Sequence, residues 1–201
     1  MDHIIFDLGN VLIHTHPEKA ITAFAQKCSI PVNEIKTFYL SELHYGFMEG
    51  RYKPEDFYSM ILKKIPCELT IEEFSSLWNK IIGRPKKQIR ELLEVLQKRF
   101  MLSICSNTDP WHWEYIYQQI DFIRKFNHYF LSFQIKMNKP NPALFRFVLD
   151  SLAAKGEDCI FIDDSPENIE TSEKFGIKGL LACETDQIIR GLRRLHIDLD
   201  L

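Results

Sequence analysis

The stretch IIFDLGNVL, residues 4–12, decides the fold. Three apolar residues run into a single aspartate, Asp7, and the chain then drops at once into Gly9-Asn10. A short apolar run closed by turn residues reads as a buried strand, here one that delivers a carboxylate to the end of a sheet. The position two residues on, where a second carboxylate would complete a catalytic pair, holds Gly9.

Outward from this strand the chain changes character twice. Residues 17–82 carry only helical patterns: PEKAITAFAQKC, VNEIKTFYLSEL, PEDFYSMILKKI and TIEEFSSLWNKII. Pro17 and Pro54 sit at first turns, and Thr70 with Glu73 forms a capping box. From residue 85 helices and strands alternate. PKKQIRELLEVLQKRF leads to strand MLSICS, DPWHWEYIYQQI to HYFLSF, NPALFRFVLDSL to CIFID, and PENIETSEKFG to KGLLAC, before a last helix, TDQIIRGLRRL. The runs at 101–105 and 159–163 are nearly all apolar, as in parallel strands covered on both faces. Repeated strand-helix units predict an α/β fold, a doubly wound parallel sheet of Rossmann-like form. The expected domains are an α/β core of residues 1–14 and 85–201 and an inserted all-helical cap of residues 15–84.

With 201 residues, 45% hydrophobic and 26% charged, the chain can bury a full core. A net charge of -3 gives no basic field for nucleic acid and no polybasic run for a membrane surface. No segment approaches the ~18 apolar residues of a spanning helix, and no leader pattern opens the chain, so the cytoplasm is the default expectation. Cys28, Cys67, Cys105, Cys159 and Cys183 are odd in number, far apart and without a CxxC pair, so they are expected to be buried free thiols.

Ligands of open parallel sheets collect at the carboxyl ends of the strands. Asp7 ends the first strand, Ser106-Asn107-Thr108 follows MLSIC, Lys139-Pro140 precedes a helix, and CIFID ends in Asp163-Asp164. Adjacent carboxylates repel unless a cation compensates them, so the acidic pair asks for a metal ion or a lysine.

In this order the segments FDLGNVL, SNT, KP with PALF, and FIDDSPENIE resemble the haloacid dehalogenase superfamily of aspartate-nucleophile hydrolases, with the helical insert placed as a C1-type cap. Within it the chain looks like the bacterial α-D-glucose-1-phosphate phosphatase group. The resemblance implies a phosphatase acting on a small phosphate ester, with Asp7 as nucleophile through an aspartyl-phosphate. It implies Mg²⁺ held by Asp7, the Gly9 backbone carbonyl, Asp164 and Asp163, the last directly or through water. Ser106, the Asn107 backbone N–H and Lys139 would hold the phosphoryl oxygens, and Asn168 would act indirectly. The segment HYGFMEGRYKPEDF resembles the cap loop that enters the site, with Glu49 and Arg51 as substrate contacts. His112 is a further substrate contact, and Trp111 and Trp113 either wall the pocket or join the core.

Gly9 retains a backbone carbonyl but lacks the acid/base carboxylate usual at this position. General acid-base catalysis supplies about 10²- to 10⁴-fold, or roughly 3–5 kcal/mol. A good leaving group, solvent beneath the cap, or His14, His16 or His112 could reduce that loss. Alternatives are a 2-haloacid dehalogenase using the same Asp7, since a departing halide needs no proton, a phosphomutase, or a catalytically impaired binding or regulatory protein.

Overall fold

The computed structural model describes residues 2–39 and 41–199. Its centre is a five-stranded parallel sheet with the order β5-β4-β1-β6-β7. These strands are β1 (His3–Phe6), β4 (Met101–Ser106), β5 (His128–Leu131), β6 (Cys159–Asp163) and β7 (Lys178–Leu181). The order reverses beside β1: the chain proceeds to β4 and β5 on one side and returns to β6 and β7 on the other. That switch lies beside the strand ending at Asp7, where open sheets bind ligands.

Alternation along the strands explains why both faces are covered. Ile4 and Phe6 of β1, with Leu102, Ile104, Ile160 and Ile162, face α6 (Ile89–Leu96), α7 (Pro110–Gln119) and α11 (Thr185–Arg194). Ile5, Cys105, Cys159 and Phe161 point the other way, onto α9 (Pro142–Leu152) and α10 (Pro166–Glu173). One further short helix, α8 (Ser132–Ile135), follows β5 directly.

The inserted helices are α1 (Pro17–Cys28), α2 (Val32–Tyr39), α3 (Glu42–Met48), α4 (Pro54–Leu62) and α5 (Ile71–Trp78). They bury a hydrophobic cluster of their own, with Phe24, Phe47, Phe57, Phe74 and Trp78 at its heart. The Phe47 and Phe57 rings stack at 4.2 Å. The expected capping box is formed: Thr70 Oγ1 accepts from Glu73 N at 3.2 Å and Glu73 Oε2 accepts from Thr70 N at 3.0 Å.

Three differences from the sequence reading have physical causes. The helix expected over 32–43 is broken, because Ser41 caps a new helix by accepting from His44 N at 3.3 Å; Leu40, within the expected span, lies outside the described residues. The helix expected to continue to Ile82 ends earlier, and Ile82 opens a strand. That strand, β3 (Ile82–Pro85), pairs antiparallel with β2 (Ile13–Thr15), so a two-stranded ribbon carries the chain into and out of the helical insert. The expected borders at 14/15 and 84/85 fall inside its two strands. Finally, Cys28 and Cys67 are not free thiols: they form a disulfide with Cα atoms 5.0 Å apart, because folding brings the end of α1 against the segment after α4. Cys105 and Cys159 are free and buried, whereas Cys183 is free but exposed. Among the described residues no helix is long and apolar enough to cross a membrane.

Candidate active site

Asp7 follows β1 directly, and its backbone N–H donates to Ile162 O at 2.8 Å, which fixes it against the end of β6. Lys139 reaches in from the segment before α9, and its Nζ lies 2.6 Å from both Asp7 Oδ1 and Asp163 Oδ2. The ammonium also sits over the Phe161 ring, 5.4 Å from its centroid. Asn107 holds the lysine backbone from both sides, donating to Lys139 O at 2.9 Å and accepting from Lys139 N at 2.7 Å.

The two acids of the pair are held differently. Asp163 is fully buried, and its second oxygen accepts from Ser165 N at 2.8 Å and Asn168 Nδ2 at 2.9 Å. Both of its oxygens are therefore committed. Among the described residues Asp164 accepts from Asn10 Nδ2 alone, at 3.2 Å. Asn10 adopts a left-handed backbone, φ 57°, which asparagine tolerates better than most residues. Its side-chain oxygen meanwhile takes Thr15 Oγ1 at 2.9 Å, so it braces Asp164 against the ribbon.

One buried lysine pairs with two carboxylates, Asp7 and Asp163, and Asp164 adds a third negative charge near Asp7. Burial, reinforced by Asp163 and Asp164, outweighs Lys139 and pushes the Asp7 carboxyl up to about 7. Burial alone would lower the Lys139 ammonium, but Asp7 and Asp163 outweigh it and raise it. A nucleophilic Asp7 must be ionised, so the cluster calls for further positive charge. Among the described residues no three His, Cys, Asp or Glu side chains converge into a complete metal cluster. Among the described residues, the oxygens of these three acids that take no hydrogen bond are the second oxygens of Asp7 and Asp164. An anionic, all-oxygen set of this kind, together with a backbone carbonyl, suits a hard divalent cation that keeps several waters.

Beside this cluster a cavity of about 110 Å³ separates the sheet from the inserted helices. Gly9, Ser106, Asn107 and Thr108 form its floor on the sheet side, and Ile13, Thr15 and Ile82 of the ribbon and His44, Met48 and Ile81 of the insert complete its lining. His112 also lines it, but both ring nitrogens are engaged, Nδ1 with Asp109 Oδ2 at 2.7 Å and Nε2 with Trp78 O at 3.2 Å. Both partners are acceptors, so both nitrogens donate and neither is left for a ligand. Asp109 also accepts from Trp78 Nε1 at 2.9 Å. Burial alone would raise this acid, but the His112 charge and hydrogen bonds, with the Trp78 bond, hold it below the ordinary carboxylate range.

The remaining expected contacts lie elsewhere. Arg51 Nε pairs with Glu49 Oε2 at 3.0 Å on the cap surface, and neither residue lines the cavity. The cap loop instead contributes Met48, and the backbone carbonyls of Met48 and Gly50 accept from Ser132 Oγ and Lys136 Nζ, each at 2.6 Å. His14 and His16 line an outer cleft with Arg84 and Tyr115. Strand alternation places them there, since Ile13 and Thr15 take the inner face. Trp111 packs with the inserted helices and Trp113 with the sheet cluster, so both are core. Asn10 and His44 were missed by the sequence reading; a Gly-Asn turn was the one available signal for the first.

A switch-point carboxylate with a buried lysine and an acidic pair, beneath a helical insert, defines a doubly wound α/β hydrolase. The chain belongs to the haloacid dehalogenase-like hydrolase family, which matches residues 1–176. It is similar to a D-ribitol-5-phosphate phosphatase of Bacteroides thetaiotaomicron, 22% identical over 88% of this chain and 89% of that one. A phosphorylated carbohydrates phosphatase of Thermotoga maritima is 24% identical over 89% of this chain and 83% of the relative. Among solved structures, a family enzyme of Bacteroides thetaiotaomicron in complex with magnesium and inorganic phosphate superposes with a TM-score of 0.82 at 24% identity, covering 90% of this chain and 93% of that one.

Proposed function

We propose that the chain is a Mg²⁺-dependent phosphatase that hydrolyses a small phosphate monoester through an aspartyl-phosphate on Asp7. The observation that carries this reading is the Lys139 ammonium held 2.6 Å from both Asp7 and Asp163, beside the Ser106–Thr108 floor of a cavity between the sheet and the inserted helices. Residues 15–84 act as the cap over a core of residues 1–14 and 85–201. The two relatives named as phosphatases support the reaction class.

Asp7, Asp164 and the Gly9 carbonyl would hold the ion, with Asp163 acting through Lys139. When bound, Mg²⁺ supplies positive charge that offsets repulsion between Asp7 and a phosphate dianion. Asp7 attacks phosphorus, the bond to the leaving oxygen breaks, and that oxygen takes a proton from solvent because Gly9 offers none. Ser106 Oγ and the Asn107 N–H hold the phosphoryl oxygens while Lys139 neutralises charge spread over them. Water then attacks phosphorus and Asp7 is released with inorganic phosphate.

A 2-haloacid dehalogenase gains from Gly9, but Asp163 and Asp164 beside Asp7 add negative charge that repels an anionic haloacid. A screen of phosphate esters with Mg²⁺ and with EDTA, beside Asp7→Asn and a haloacid, tests the assignment. Turnover that ignores EDTA or survives Asp7→Asn sinks it, and halide release promotes the dehalogenase.

A further inference from the structure

We propose that Asn10 is a positioning residue that links the cation site to the cap: its amide holds Asp164 ready for the ion and, through Thr15, fixes the ribbon where the insert begins. Ion binding and an ordered ribbon then favour each other. The presence of the ion rests on the phosphatase reading above.

The orientation of the amide follows from the backbone. Thr15 N lies 3.2 Å from Asn10 Oδ1, and Thr15 Oγ1 lies 2.9 Å from it. A main-chain N–H can only donate, so the atom it meets is the amide oxygen. Nδ2 is the atom left to donate to Asp164 Oδ2, at 3.2 Å. All three contacts come from one side chain on a left-handed turn, φ 57°, a position that glycine would fill without strain. A side chain is thus kept where the backbone alone asks for none.

Asp164 depends on this contact. Lys139 is spent on Asp7 and Asp163, and the second oxygen of Asp163 takes Ser165 N and Asn168 Nδ2. Among the described residues Asn10 is the one hydrogen-bond donor to Asp164. A neutral amide fixes one carboxylate oxygen without cancelling the charge, which leaves Oδ1 for a cation; a lysine there would compete with the ion. Carboxylates that bind metals are oriented by such outer hydrogen bonds, and losing one weakens metal affinity about 10- to 100-fold. Gly9, whose carbonyl is a further expected ligand, is the residue just before Asn10.

The other end of the amide reaches the cap. Thr15 closes β2 opposite Ile82 of β3, and His16 N donates to Ile81 O at 2.7 Å just before Pro17 opens α1. Asn10 therefore joins the residue after β6 to the ribbon that carries the insert. Coupling through a shared contact is reciprocal: whatever the ribbon adds to ion affinity, the ion returns to the ribbon.

The test reads ion binding without any ester. Mn²⁺, which takes the same oxygen ligands, is titrated by electron paramagnetic resonance, and Mg²⁺ by displacing it. Asn10→Gly suits the left-handed backbone and should weaken both ions ~10- to 100-fold. Thr15→Val keeps the N–H but loses the hydroxyl and should weaken them about threefold, whereas Thr15→Ser should stay within about twofold of wild type. Because Thr15 acts through Asn10, the valine effect should vanish in the Asn10→Gly background. Hydrogen exchange at the Thr15 and His16 amides should slow with saturating Mg²⁺ in wild type and not in Asn10→Gly. An Asn10→Gly affinity within about threefold of wild type, or a valine effect equal in both backgrounds, overturns the proposal. So does wild-type exchange that Mg²⁺ leaves unchanged, or a wild type that binds neither ion. The expected order of affinities in a protein that hydrolyses no ester would retain the link and sink the phosphatase. Turnover with an ion affinity that ignores Asn10 would do the reverse.

Discussion

Replacing Asp7 by asparagine should stabilise the metal-free protein while abolishing its activity, and the gain should grow with pH. Asp7 is 8% exposed, shares Lys139 with Asp163 and feels the charge of Asp164 as well. Its pKa rises from 3.8 to about 7, chiefly through burial. Between those values the native state keeps a proton that the unfolded chain has lost, so stability falls as pH rises, by ~1.4 kcal/mol per decade for this group. The penalty is absent below 3.8 and complete above about 7, where it reaches ~4 kcal/mol. Asparagine carries no charge and leaves Lys139 paired with Asp163. Urea unfolding of both proteins in EDTA from pH 5 to 8 should therefore diverge by ~2.5 kcal/mol in favour of Asp7→Asn. Adding Mg²⁺ should narrow the gap by stabilising the wild type. Curves that stay parallel within ~0.5 kcal/mol would show that Asp7 is not held with uncompensated charge, and would refute the electrostatic case for a bound cation.

Other perturbations probe separate parts of the molecule. A Cβ on Gly9 would lie 3.2 Å from Thr15 Cγ2, so Gly9→Asp needs a small shift that Thr15→Ser relieves while keeping the hydroxyl for Asn10. The double variant should raise turnover of alkyl phosphates about 10- to 100-fold and of p-nitrophenyl phosphate far less; equal gains would show that the missing acid is not limiting. Asp109→Asn leaves His112 without its carboxylate and should lower stability by ~3 kcal/mol, read by urea unfolding; a loss under ~1 kcal/mol would show that this network does not anchor the cap. Cys28→Ser with Cys67→Ser removes a bridge across 39 residues, worth up to ~4 kcal/mol by chain entropy. Unchanged stability, with five titratable thiols in denatured, unreduced wild type, would rule the bridge out.

What was legible in the sequence follows the range of the forces involved. The strands at 101–106 and 159–163 declare themselves because burial on both faces leaves nearly continuous apolar runs, and the capping box at Thr70 is a local exchange of two hydrogen bonds. The ribbon was hidden: Ile13–Thr15 is three residues long, too short to establish a period, and Ile82–Pro85 adjoins a convincing helical pattern. Missing the ribbon cost the parity argument that turns His14 and His16 outward. Glu49 and Arg51 belong to a segment that resembles a cap loop entering the site, yet they pair with each other at the surface. His44 carried no local signal, since the cavity lining it joins is assembled from distant segments. The Cys28–Cys67 bridge is likewise tertiary, a meeting of two segments that spacing alone did not reveal.

The Ser106–Thr108 backbone that floors the cavity also carries contacts that hold the cap. Thr108 N donates to Ser132 Oγ at 2.9 Å, and that hydroxyl has two carbonyls within reach, Met48 O of the cap loop at 2.6 Å and Thr108 O of the floor at 3.0 Å. A hydroxyl has one proton, so it serves one acceptor at a time, and the shorter contact favours the cap. Should the cap lift, the proton can turn to Thr108 O without leaving Ser132 unsatisfied, so the exchange avoids the ~1–3 kcal/mol penalty of an orphaned buried donor. One residue further on, Asp109 joins the floor to Trp78 of the cap through 2.9 Å. Its charge is matched by His112, which makes that second contact more costly to break than the first. The cap is thus joined to the sheet by one contact that can be exchanged and one that resists separation.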